Sequence, residues 1–145
     1  MLVTALVTPF AGDGEVDLDA LTRLVEWQLE QGVDRVLLFG TTGEGAALLD
    51  VERERLLDAA LDVARPDQLV VGLGFGPLGQ VLERGRASLA RGVRSLLLVD
   101  APYAGPSSAA LREHWHGAVA KALPDARLYP YAVPSRTQSE LLPDD

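Results

Sequence analysis

Gly32-Val33-Asp34-Arg35-Val36-Leu37-Leu38 runs straight into Phe39-Gly40-Thr41-Thr42-Gly43-Glu44, and those first seven residues find a weak echo sixty positions later in Gly92-Val93-Arg94-Ser95-Leu96-Leu97-Leu98. Each copy reads as a glycine that stops a helix, followed at once by a short and continuous apolar run. That is the pattern of a strand buried on both faces, not of one half exposed to water. Sixty residues is the length of two strand–helix units of about 30 residues each.

Working outward from the pair, the other elements fall into the same alternation. Leu2 to Thr8, closed by Pro9, predicts a buried first strand; Asp17 or Asp19 caps a helix with apolar positions Leu21, Leu24, Val25 and Leu29, and Gly32 ends it. After the second strand, Arg35 to Phe39, an Asp50 cap opens a helix through Leu56, Leu57 and Leu61, with Pro66 beyond its end. Gln68 to Leu73 is strand 3, Pro77 a good first helical residue, and Val81, Leu82 and Leu89 an apolar face. Ser95 to Val99 is strand 4, Ser107 or Ser108 caps the fourth helix, and Arg127 to Val133 is strand 5. The order β-α-β-α-β-α-β-α-β is that of an α/β fold with a parallel sheet.

The composition excludes several functions. With 21 acidic against 13 basic residues the net charge is −8, which repels a phosphate backbone and an anionic membrane alike, so no nucleic-acid or membrane partner is expected. There is no cysteine, which rules out disulfides and cysteine-bound zinc and makes a cytoplasmic location the simple expectation. The apolar opening Met1 to Phe10 lacks a basic region before it and meets Pro9 and the turn Ala11-Gly12-Asp13-Gly14 too soon for a signal peptide. No linker or low-complexity stretch divides the 145 residues, so one domain is expected.

Chemistry in parallel α/β folds gathers at the C-terminal ends of the strands. There, Gly40-Thr41-Thr42-Gly43-Glu44 sets two hydroxyls and several N–H groups between glycines, a build that holds a carboxylate or relays a proton but also serves as an ordinary polar turn. Gly74-Phe75-Gly76-Pro77-Leu78-Gly79, with Asp100 further on, has the elements of a dinucleotide fingerprint, though in the third unit and not the first. His114 and His116, two apart on a helix, face different ways and make no metal pair; Trp115 between them reads as core. Tyr131 is either a buried aromatic or an acid/base group, and Arg136 is by default a solvated loop cation.

Leu6-Val7-Thr8-Pro9-Phe10, Gly40-Thr41-Thr42-Gly43-Glu44, Pro102-Tyr103 and Tyr131-Ala132-Val133-Pro134-Ser135-Arg136-Thr137 stand in the order and spacing of one family. The chain resembles the dihydrodipicolinate synthase/N-acetylneuraminate lyase family over essentially its whole length. The resemblance implies a (β/α)₈ barrel, of which residues 1–145 would be a single N-terminal portion covering strands 1 to 5 and ending near the start of helix 5 at Leu141-Leu142-Pro143-Asp144-Asp145. It implies carbon–carbon lyase chemistry on pyruvate or a related 2-oxo acid through a lysine Schiff base, with no metal and no cofactor. By position, Thr42 with Gly43 and neighbouring N–H groups would hold the 2-oxo-acid carboxylate, and Thr41 would pass protons to and from Tyr131 as general acid/base. Arg136 would meet a second polar substrate group, and Tyr103 would complete the substrate contacts. Ala104 stands where dihydrodipicolinate synthases carry a second tyrosine, and Ala132 where an asparagine is common.

The family's Schiff-base lysine belongs to strand 6. The single lysine here, Lys121, falls in the fourth helix, where a cation suits the negative helix end. The expectation is therefore a fragment, inactive alone, that self-associates or pairs with a complementing half-barrel, intact family members being usually homo-oligomers. Two other readings stand beside it: a non-catalytic module that binds a 2-oxo acid or assembles, and a dinucleotide-binding domain using Gly74 to Gly79.

Overall fold

A computed structural model of the chain describes residues 1–101, 106–139 and 141–142. Five strands form one sheet in sequence order, each pairing parallel with the next: β1 (Val3–Ala5), β2 (Arg35–Leu38), β3 (Leu69–Gly72), β4 (Ser95–Val99) and β5 (Arg127–Tyr131). Between them run α1 (Leu18–Glu30), α2 (Asp50–Val63), α3 (Leu78–Ala90) and a fourth helical passage of three parts. The passage starts as α4 (Ser108–Ala110), widens to a π-helical segment over Leu111–His116 and closes as α5 (Gly117–Ala122). A short α6 (Pro134–Thr137) follows β5.

Local chemistry accounts for most of these bounds. Asp17 caps α1, its Oδ1 accepting the Ala20 N–H at 2.8 Å, and Gly32 ends the helix with φ +87. Ser107 caps α4 through the Ala110 N–H. The expected Asp50 cap on α2 is corrected: the helix begins at Asp50 itself, behind an N-cap Leu49 whose N–H bonds the Glu52 carboxylate at 2.7 Å. Asp50 is drawn away to α3, where Arg84 Nε and Gln80 Nε2 reach its two oxygens at 2.6 and 2.7 Å.

β4 has the expected bounds, and the other four strands are shorter than expected at their ends. β1 lies at an edge of the sheet and is half open to solvent, so the expectation of a fully buried first strand fails there; Leu6 and Thr8, just past it, are the buried positions. β2 stops at Leu38 because Phe39 turns into the left-handed region at φ +59. β5 ends at Tyr131 because Pro134 opens α6, an element the apolar pattern did not announce; Leu141 and Leu142 are not helical, and residues 143–145 lie outside the described residues.

One core joins the sheet to its helices. Val36, Leu38, Leu69, Val71, Leu96 and Leu98 from the strands meet Leu21, Val25, Leu56, Val81 and Val119 from the helices. Among the described residues no helix is long and apolar enough to cross a membrane.

Candidate functional site

At the C-terminal ends of the strands a cavity of about 250 Å³ is lined by Thr41 and Glu44 from the loop after β2, Gly74 and Phe75 from the loop after β3, Tyr131 at the end of β5 and Arg136 on α6. Three expected site residues, Thr41, Tyr131 and Arg136, thus share one wall although up to 95 positions separate them in sequence. Thr42 and Gly43 are in the same loop but do not line the cavity: Thr42 is exposed beside it, and Gly43 is buried beneath it. Tyr103 lies outside the described residues.

Thr8 and the glycines fix the shape of the Thr41–Thr42 loop. The buried Thr8 hydroxyl donates to the Gly43 carbonyl at 2.6 Å. A Cβ at Gly43 would sit 2.7 Å from the Leu6 carbonyl oxygen, and one at Gly45 only 2.1 Å from that of Phe39, so the backbone approaches more closely than any side chain allows. Glu44, at φ +51, turns the chain so that its N–H bonds the Thr41 carbonyl at 3.2 Å, and the Gly45 N–H bonds that of Gly40 at 3.1 Å.

Arg53, which the sequence reading passed over, lies under this loop at 4% exposure. Its Nη1 donates to the Gly45 carbonyl at 2.9 Å, its Nη2 to the Gly72 carbonyl, and the guanidinium stacks 4.6 Å from the centre of the Phe39 ring. Burial, then the nearby Arg84 cation, pull its pKa down to about 10 against the opposing pull of Asp50, which still leaves it charged at neutral pH. A signal for it existed: Arg53, Leu56, Leu57 and Ala60 form one helical stripe, and all four are buried.

On the far side, the fourth helical passage pins the end of β4. Trp115 Nε1 donates to the Val99 carbonyl at 2.8 Å, and His116 Nε2 lies 2.8 Å from Oδ1 of the fully buried Asp100. Val99 is in register with Tyr131 across the β4–β5 ladder. Asp100 is therefore occupied in the interior, not free to meet a ribose. The strand order also runs without the reversal that creates a dinucleotide crevice, so the glycines of residues 74–79 have no switch point to serve.

Two further cavities do not compete for the chemistry. One of about 110 Å³ lies between α2 and α3, behind the Phe39 ring. The other, about 710 Å³, is larger than the site but opens among Arg35, Arg94 and Arg127 at the N-terminal ends of the strands, the face that in such folds serves stability.

The family model for the dihydrodipicolinate synthetase family matches residues 1–145. The chain is similar to the 4-hydroxy-tetrahydrodipicolinate synthase of Xanthomonas campestris, 39% identical over 147 residues that cover 99% of this chain and 47% of the relative. It is 41% identical to that of Sorangium cellulosum over 95% of this chain and 46% of the relative. Among solved structures it superposes on dihydrodipicolinate synthase from Aquifex aeolicus with a TM-score of 0.88 at 32% identity, covering 97% of this chain and 47% of that one. The chloride-inhibited dihydrodipicolinate synthase from Acinetobacter baumannii, complexed with pyruvate, gives a TM-score of 0.91 at 33% identity, with 99% and 49% covered. A sialic acid aldolase from Ruminococcus gnavus shares the fold at 0.88 with 19% identity. The chain spans about half the length of the relatives it matches, and its five strands correspond to about half of their barrels.

Proposed function

The chain belongs to the dihydrodipicolinate synthetase family, and we propose that its residues supply the substrate-binding and proton-transfer side of a carbon–carbon lyase site acting on pyruvate or a related 2-oxo acid. The observation that carries this reading is the single cavity shared by Thr41, Tyr131 and Arg136 at the C-terminal ends of the strands. The pyruvate bound in the Acinetobacter baumannii relative points to the same ligand class.

In this reading the substrate carboxylate rests on the Thr41–Thr42 loop, with the Thr42 hydroxyl and nearby N–H groups, Gly43 among them, as donors. The 2-oxo group condenses with a lysine amine to an imine, its oxygen leaving as water, and the imine turns the neighbouring carbon into a stabilised nucleophile or leaving group. Tyr131 gives and takes the proton at the reacting oxygen, with Thr41 as its relay. The Arg136 guanidinium, exposed on α6 at the rim, meets a second carboxylate or hydroxyl of the acceptor, and Tyr103 adds a substrate contact. The chemistry calls for no cofactor and no metal.

The lysine itself is not supplied by these residues. Lys121 is exposed on α5 and does not line the cavity, which makes the 145 residues alone catalytically silent and favours, for the chain by itself, a second reading as a 2-oxo-acid-binding module without turnover. Catalysis then needs a complementary set of strands. Two sheet edges unpaired among the described residues, β1 and β5, with Leu2, Val7 and Phe10 exposed near the first, favour self-association or pairing with another half-barrel.

The test is pyruvate with borohydride, followed by mass spectrometry. No adduct is expected on the 145 residues alone, while saturable pyruvate binding is. A pyruvyl adduct on Lys121 would overturn the assignment of the nucleophile, and absence of pyruvate binding to folded protein would overturn the carboxylate site.

A further inference from the structure

Among the described residues Arg53 has no carboxylate within ion-pair distance. The neighbouring Asp50 is engaged by Arg84, whose Nη1 also holds the carbonyls of Leu73 and Phe75 at 3.0 Å. Two guanidiniums therefore stand near one carboxylate that pairs with Arg84, behind the loops that follow β2 and β3. Desolvating a charge that two carbonyls and the Phe39 ring compensate, but no paired carboxylate, is still costly.

The partners of Arg53 suggest what the charge does. It binds carbonyl oxygens from both loops, that of Gly45 after β2 and that of Gly72 at the end of β3, and so ties them together. In a planar trans peptide the carbonyl and the next N–H point in opposite directions. Turning the Gly45 carbonyl inward to Arg53 therefore turns the Ala46 N–H outward, and Ala46 lines the cavity of Thr41 and Tyr131.

We propose that Arg53 is a positioning residue for anion binding: it sets the peptide after Gly45 so that the Ala46 N–H faces the 2-oxo-acid carboxylate, and it places a buried positive charge behind that carboxylate. This rests on the functional reading above and deepens it, because it assigns carboxylate recognition to a side chain outside the Gly40–Glu44 motif. The field of a charge in a poorly hydrated interior acts over a longer reach than one at the surface.

The test compares pyruvate with its uncharged analogue pyruvamide on the full chain. Wild type, Arg53→Met and Arg53→Lys are titrated calorimetrically, and the Ala46 amide is followed by NMR. Arg53→Met should weaken pyruvate by about tenfold or more, on the scale of lost charge-assisted contacts, and pyruvamide by less than about threefold; Arg53→Lys should recover part of the pyruvate affinity. In wild type the Ala46 amide proton should shift downfield as pyruvate saturates, a readout that stands even if Arg53→Met does not fold. Equal loss for both ligands, no recovery in Arg53→Lys, or an unmoved Ala46 amide would each overturn the role of Arg53 while leaving the pyruvate site standing. Failure of wild type to bind pyruvate would instead remove the functional reading, and this inference with it.

Discussion

β3 backs the Thr41–Thr42 loop, which itself follows β2, β5 carries Tyr131, and the two strands differ in how they are held. Every residue of β3 is buried, flanked by β2 and β4 and covered by α2 and α3, and the loop after β2 rests against its end through Arg53. β5 is an edge strand: Arg127 and Pro130 are exposed, Tyr131 is half-buried, and only β4 pairs with it among the described residues. The loop proposed to bind the carboxylate is thus prearranged by the interior of this chain. Tyr131, the proposed acid/base, and Arg136, the proposed substrate contact, hang on a ladder with one neighbour among the described residues, so their precision depends on what packs against the other side of β5.

The contrast is sharpest in the response to truncation. Leu69→Ala on β3 should cost about 2–5 kcal/mol, as expected for a fully buried leucine whose surroundings cannot collapse, whereas Leu128→Ala on β5 should cost about 1 kcal/mol. Urea unfolding of both variants measures this, and equal losses would show that β5 is as deeply embedded as β3.

A backbone probe comes next. Gly45→Ala forces a methyl into the Phe39 carbonyl and should destabilise by about 1–3 kcal/mol, while Gly79→Ala, with nothing within 4 Å of the new Cβ in α3, should be neutral or stabilising by up to about 1 kcal/mol. Thermal unfolding of the pair distinguishes a tight loop from a merely glycine-rich one. Thr8→Val, which strands the Gly43 carbonyl, should cost about 1 kcal/mol and loosen pyruvate binding without touching Tyr131.

The smallest effect is electrostatic and confined to the α2–α3 surface. The hydrogen bond and charge of Arg91 hold the Asp58 carboxyl below its usual range, with partial desolvation opposing them. A carboxyl whose folded pKa is lowered stabilises the fold above its unfolded value, near pH 4, and loses that contribution as the pH falls through the folded one. Melting temperature should therefore drop between pH 5 and pH 3 in wild type, and slightly less in Asp58→Asn. Because Asp58 is 59% exposed, solvent keeps the difference small.

The legible parts of the sequence were the local ones. Ser95 to Val99 was bounded correctly because its apolar run is flanked by a glycine stop and a polar loop, and Asp17 was readable as a cap because the N–H it accepts is three residues away. Asp50 looked like a cap by the same logic, but its partners, Gln80 and Arg84, lie 30 and 34 positions on and became visible only when α2 and α3 packed together. Arg53 was hidden by its neighbours: in Asp50-Val51-Glu52-Arg53-Glu54-Arg55 a charge reads as solvated, and only the stripe it shares with Leu56, Leu57 and Ala60 places it inside. The convergence of Thr41, Tyr131 and Arg136 was expected from the family's residue pattern, whereas the positions of Thr42 and Gly43 relative to the cavity depended on the loop's own turn.

The π-helical segment over Leu111–His116 acts as a phase shifter. An α-helix advances about 100° per residue, so the wider turn resets the angular bookkeeping of everything downstream. Leu111 at its start and Val119 beyond its end are both fully buried, while Trp115 and His116, consecutive in sequence, both reach the end of β4. Deleting one residue here would restore an uninterrupted α-helical pitch with Val119 still turned to the sheet, because the wider turn absorbs one extra residue, and the cost would fall on the Trp115–His116 pair, whose two consecutive side chains could no longer both reach the end of β4.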